Sequence, residues 1–138
     1  MDATCQEIVD DVVEQVIKFA QSTTRNKWIV HGPVAIYVRN SYRILNPSCP
    51  ADFKDVRCHD NLTLDIASMD ISPEYRGLGI GTELCDAIHE RSPHRTTYVE
   101  SLVNERWHHH LAQDGWHDVD RTEPPCVFKR KDSNATAT

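Results

Sequence analysis

Arg76, Gly77, Gly79, Gly81 and Thr82 form the group whose residue types and spacing suggest chemistry: an arginine, then glycines at alternate positions, then an apolar run. The run has helical spacing, so the glycines stand at a strand-to-helix turn. The first N–H groups of a helix have no partner inside it, and the helix dipole favours negative charge there. With no side chains in the way, backbone from 76 to 82 can close on a bulky diphosphate. The plainer use of such glycines is a tight, well-packed turn. Two nucleotide readings fail. A Walker A loop needs a lysine, and none stands in this stretch. A dinucleotide fingerprint needs its third glycine where Thr82 stands, and Glu100 lies in a strand that leads into another helix.

The elements around this turn follow from periodicity. Ile8, Val9, Val12, Val13, Val16, Ile17 and Ala20 recur at helical spacing behind a Thr4-Cys5-Gln6-Glu7 capping box, which predicts a helix over 5–21. Trp28–Val30 and Val34–Val38, split by His31-Gly32-Pro33, read as a hairpin. Tyr42–Leu45 extends it or starts a further strand, and residues 46–60 read as a loop. Leu62–Ile71 is a long strand, apolar on both phases in its second half, and therefore central. Helix 79–91 stops at Ser92-Pro93. Thr97–Val103 is a strand; Asn104 caps a helix that ends at Gly115; His117–Val119 and Cys126–Lys129 are final strands. The order α, β, β, β, α, β, α, β, β gives an α/β domain with a mixed central sheet and flanking helices. One domain over 1–130 is expected, with a polar, disordered tail over 131–138.

A chain of 138 residues with a formal charge of −6 is a poor candidate for holding nucleic acid through phosphates. The charge mildly favours cationic partners at encounter. Five cysteines, an odd count without a C-x-x-C pair, read as reduced thiols of a cytoplasmic protein. No apolar run reaches the length of a membrane span, and no signal peptide is expected. Consecutive His108, His109 and His110 point about 100° apart on a helix and cannot converge on one metal ion.

Arg76-Gly77-Leu78-Gly79-Ile80-Gly81 resembles the R/Q-x-x-G-x-G/A signature of the GNAT (Gcn5-related N-acetyltransferase) superfamily, and Ile71-Ser72-Pro73-Glu74-Tyr75 resembles the segment before it. Asn104, eleven residues before Gly115-Trp116, resembles a second block. The resemblance covers about residues 62–117. It implies acetyl-coenzyme A as cofactor. Its diphosphate would rest on the amides of Arg76, Gly77, Leu78, Gly79, Ile80, Gly81 and Thr82. Its pantetheine arm would lie against main-chain groups of Met69 and Ile71 and the side chain of Asn104. The family usually begins with a strand that this sequence lacks, one that a partner subunit, including a second copy in a homodimer, could supply.

Direct attack of an amine on a thioester needs a base, an oxyanion donor and a proton for the thiolate. Asp65 is the first expectation for the base, because some family members carry a Glu six residues before the position of Ile71. Six is even, which would put both side chains on one face and Asp70 on the other. A structural carboxylate is the plainer reading of Asp65, and Glu100 is a further candidate. The resemblance makes the Ile71 N–H the oxyanion donor. The family's tyrosine acid falls on Leu111, so the thiolate is expected to take its proton from water, or from His110 or Tyr98. The expected activity is acetyl transfer to a primary amine, on a protein or a small cationic molecule. The alternative is a module that binds coenzyme A, or another protein, without catalysis.

Overall fold

The computed structural model describes residues 2–42, 62–100, 105–119 and 124–131. The elements run α1 (Ala3–Ala20), β1 (Asn26–His31), β2 (Val34–Tyr42), β3 (Leu62–Ile71), a 3₁₀ turn (Pro73–Tyr75), α2 (Ile80–Arg91), β4 (Thr96–Val99), α3 (Glu105–Gln113), β5 (His117–Asp118) and β6 (Val127–Arg130). Six strands form one mixed sheet in the order β1-β2-β3-β4-β6-β5, with β3 and β4 parallel and the other neighbours antiparallel. Helix α1 begins ahead of its expected start. Asp2, not Thr4, caps it, its carboxylate accepting from the Cys5 N–H at 2.8 Å. That bond and the helix N-terminus hold the Asp2 carboxyl below the usual range.

The apolar stripe of α1 packs with Ile80, Leu84 and Ile88 of α2 and with Leu111 and Trp116 onto one face of the sheet. Ile29, Val34, Ile36, Val38, Leu64, Ile66, Val99 and Val127 supply the sheet's side of this core. Tyr98, Cys126 and Phe128 form a smaller cluster on the opposite face. Helix α3 ends in a Schellman turn: Gly115 takes φ 89° and the Trp116 N–H reaches the Leu111 carbonyl at 3.1 Å.

A bulge in β3 changes which residues share a face. Val38 pairs with Ile66 but Tyr37 pairs with Ser68, so Ala67 is an extra residue. Past it, Met69 and Ile71 rejoin the face of Leu64 and Ile66 and pack against the main core. Asp65 points away from that core, and Asp70 now shares its face. The parity expected from the even spacing of Asp65 and Ile71 is therefore reversed, because counting by two assumes an unbroken pleat.

Candidate functional site

Strands β3 and β4 pair only from Thr63↔Thr96 to Ile66↔Val99, and the Glu100 N–H closes the ladder on the Ile66 carbonyl at 3.0 Å. Beyond that point residues 68–71 pair with β2 alone among the described residues. The bond from the Ser72 N–H to the Pro33 carbonyl (2.8 Å) fixes the alternation: residues 68, 70 and 72 bond toward β2. Met69 and Ile71 therefore turn their main-chain groups to the side away from β2, where no described strand pairs with them. Asn104 lies outside the described residues.

The glycine turn follows directly. Gly77 (φ 77°) and Gly79 (φ 82°) are left-handed, and a Cβ on either would meet nothing within 4 Å. Gly79 is the N-cap of α2, and its carbonyl takes the first helical bond, from Glu83 at 3.0 Å. Among the described residues, the N–H groups of Gly77 through Thr82 have no hydrogen-bond partner. The Arg76 N–H is spent, bonding the Pro73 carbonyl at 3.2 Å to close the 3₁₀ turn, so the free amides begin one residue later than expected. The Arg76 side chain is a strut: its Nε donates to the Ile71 carbonyl at 2.8 Å, and it sits 3.8 Å from Asp70. Both side chains of that pair are largely exposed, so it adds little. Gly81 differs from the other two. A Cβ there would lie 3.2 Å from the Trp107 indole nitrogen, so this glycine lets α2 and α3 approach rather than opening the cradle.

On the face turned from the helices, three charges gather where β3 and β4 part. Asp65 is fully buried; Thr63 Oγ1 donates to its Oδ1 at 2.7 Å, and Arg39 Nη2 is 3.8 Å from Oδ2. Arg39 also bonds Glu100, whose side chain keeps 22% of its surface in solvent. Sequence reading did not single out Arg39. The signal was an arginine among apolar residues of a strand, uninterpretable until the register set it opposite Asp65.

No protein-family model and no curated protein matches this chain. Among solved structures, the crystal structure of a tyrosine-to-phenylalanine mutant of KacT is similar. The TM-score is 0.54 at 11% identity, over 99% of this chain and 87% of that one. A likeness at that identity concerns the fold.

Leu111 is buried in the core and offers no proton donor. Tyr98 is buried beside Phe128. His109 and His110 are exposed, and His108 bonds Asp118. On the flank of α2, burial pushes His89 down to about 4, with Lys129 and Lys131 acting in the same direction; the ring bonds Thr97 at 2.8 Å. Asp86 is pushed up to about 6 by burial and by the neighbouring Asp114 carboxyl, while accepting from the Trp116 indole at 2.9 Å. Burial raises the Cys85 thiol strongly, so it is inert. Among the described residues no helix is long and apolar enough to cross a membrane.

Proposed function

We propose that this chain is an acetyl-coenzyme A-dependent N-acetyltransferase of the GNAT fold, acting on a primary amine. One observation carries the reading: among the described residues, unpartnered amides from Gly77 to Thr82 follow a strand edge, at Met69 and Ile71, that pairs with β2 alone. The glycine signature and the likeness in fold to KacT support it.

The residues present fit the cofactor. Open space over Gly77 and Gly79 and the dipole of α2 suit a diphosphate. The main-chain groups of Met69 and Ile71 suit an amide-bearing arm. When bound, acetyl-coenzyme A would supply an activated carbonyl. The Ile71 N–H donates to that carbonyl oxygen as negative charge develops. Glu100, partly solvated and standing where the strands part, accepts the amine proton, directly or through water. Asp65, sealed from solvent, holds Arg39, and Arg39 orients Glu100. With Leu111 buried, no side chain at that position would donate a proton to the coenzyme's sulfur, and water would have to supply it.

Calorimetric titration with coenzyme A, followed by free-thiol release from acetyl-coenzyme A over a panel of amines, tests the proposal. Binding and turnover are expected. Folded protein that fails to bind coenzyme A overturns the reading. Binding without turnover on any amine, unaffected by Glu100→Gln, would make the chain a coenzyme A-binding module instead.

A further inference from the structure

Trp28, Tyr37, Ser68 and Glu100 stand level with one another across the sheet. Trp28 pairs with Tyr37, and Tyr37 with Ser68. Ile66 pairs with Val99, so Glu100 comes level with the bulge at Ala67, beside Ser68. The Trp28 and Tyr37 rings touch, with centroids 5.0 Å apart, and Arg39, two residues along β2 from Tyr37, bonds Glu100. Trp28, Tyr37, Arg39 and Glu100 therefore share the face turned from the helices. At a strand spacing of about 4.8 Å, Tyr37 lies about 10 Å from Glu100, backbone to backbone, and Trp28 about 14 Å. Tyr37 and Ser68 are half-buried, and Trp28 keeps 54% of its surface in solvent. A single exposed indole says little. An aromatic pair in line with the proposed base gives an acceptor a surface to lie on.

We propose that Tyr37 and Trp28 select the acceptor, and that the acceptor is a monoamine carrying an aromatic ring on a short tether. This rests on the acetyltransferase reading, with Glu100 as its base. The charges decide between amines. At the reacting end Arg39 faces two carboxylates, Asp65 and Glu100, an excess of one negative charge that suits one arriving ammonium. Beside the rings the same face carries Asp70, and the Arg76 guanidinium matches it at 3.8 Å. A second cation, as in a diamine or a lysine-rich peptide, therefore meets no unmatched carboxylate along the described part of this row. A cation over an exposed ring also gains less than an apolar ring laid against it. Ser68, between Glu100 and Tyr37, is small enough to let a tether pass.

Initial rates of thiol release from acetyl-coenzyme A with ethylamine, phenylpropylamine, diaminopentane and a lysine peptide test this. Phenylpropylamine should exceed ethylamine in kcat/KM by about thirtyfold, the gain of laying one ring on apolar surface, and should exceed the diamine and the peptide. Tyr37→Ala and Trp28→Ala should each cost phenylpropylamine about tenfold more than they cost ethylamine, chiefly in KM, while coenzyme A affinity holds. Tyr37→Phe should keep the native preference, and Trp28→Glu should move it toward the diamine. Equal rates for ethylamine and phenylpropylamine, or a native preference for the diamine or the peptide, overturn this proposal and leave acetyl transfer standing. Ring variants that slow both monoamines alike overturn it too. Protein that binds coenzyme A but turns over no amine removes the acetyltransferase reading and this inference with it.

Discussion

Arg39→Met separates the structural from the catalytic reading of the charged cluster. At 3.8 Å and an effective dielectric constant near 20, the Arg39–Asp65 attraction is about 4 kcal/mol before desolvation is charged against it. The Asp65 carboxylate is fully buried, so removing the cation leaves an uncompensated charge, a change that costs about 3–5 kcal/mol. The bond from Thr63 to Oδ1 remains in the variant and offsets part of this. We expect a loss of about 3 kcal/mol at pH 7, or roughly 10 °C in Tm for a domain of this size. Asp65→Asn alone should cost less, since an amide needs no counter-charge. The double variant should be more stable than Arg39→Met, with a coupling energy of about 2 kcal/mol. Urea unfolding followed by tryptophan fluorescence measures all four proteins. If Arg39→Met costs under about 1 kcal/mol, or the two losses simply add, Asp65 is not the buried half of a working pair and the division of roles between Asp65 and Glu100 fails.

Glu100→Gln should lower kcat by about a hundredfold or more while coenzyme A affinity holds, as expected of a lost general base; an unchanged kcat places the base elsewhere. Gly79→Trp should abolish coenzyme A binding at a folding cost of only about 1–2 kcal/mol for the left-handed backbone, whereas Gly81→Trp should unfold the α2–α3 contact, because Trp107 already fills that space; circular dichroism and titration separate the two. Acid stability should reflect two opposed groups. His89, lowered from 6.5 to about 4, gives stability that is present above pH 6.5 and lost as pH falls toward 4, a ceiling of about 3 kcal/mol. Asp86, raised from 3.8 to about 6, gives stability that is present below pH 3.8 and lost as pH rises through 6. Asp86→Asn stands in for the protonated carboxyl, so the variant should be more stable than the native chain above pH 6 and should converge with it below pH 3.8; equal stability of the two at pH 7 contradicts the assignment.

The element order was legible because each element carries its own period. The stripe of α1, the alternation of the hairpin and the glycine stop after α3 are local signals, and sheet residues follow them. What could not be read was pairing. Nothing in Ile66-Ala67-Ser68 marks a bulge; it arises from fitting β3 against β2, and it inverted the face assigned to Asp65. Gly77, Gly79 and Gly81 look alike as letters, yet two have positive φ in open space and the third faces an indole contributed by a later helix. Arg39 gained meaning only from its neighbours across two strands.

The bulge falls where the described pairing of β3 with β4 ends. A ten-residue strand lies between a nine-residue antiparallel neighbour and a four-residue parallel one. The extra residue at Ala67 bends and twists β3 immediately after its last described bond to the β4 side, and beyond it the described pairing is with β2 alone. Beyond it, Met69 and Ile71 keep their main-chain polarity but lose a strand to spend it on. Arg76 then ties the Ile71 carbonyl to the entrance of the glycine turn, holding the open edge and the free amides in one fixed relation. Folding and binding exchange hydrogen bonds to water for others, so each neutral hydrogen bond to a ligand would gain only about 1 kcal/mol, while bonds to an anion gain about twice that. A ligand suited to this surface therefore needs concentrated negative charge at one end for affinity and amide-like groups along the other for alignment. The same energetics explain why a strand edge can serve as the aligning element while a helix N-terminus does most of the holding.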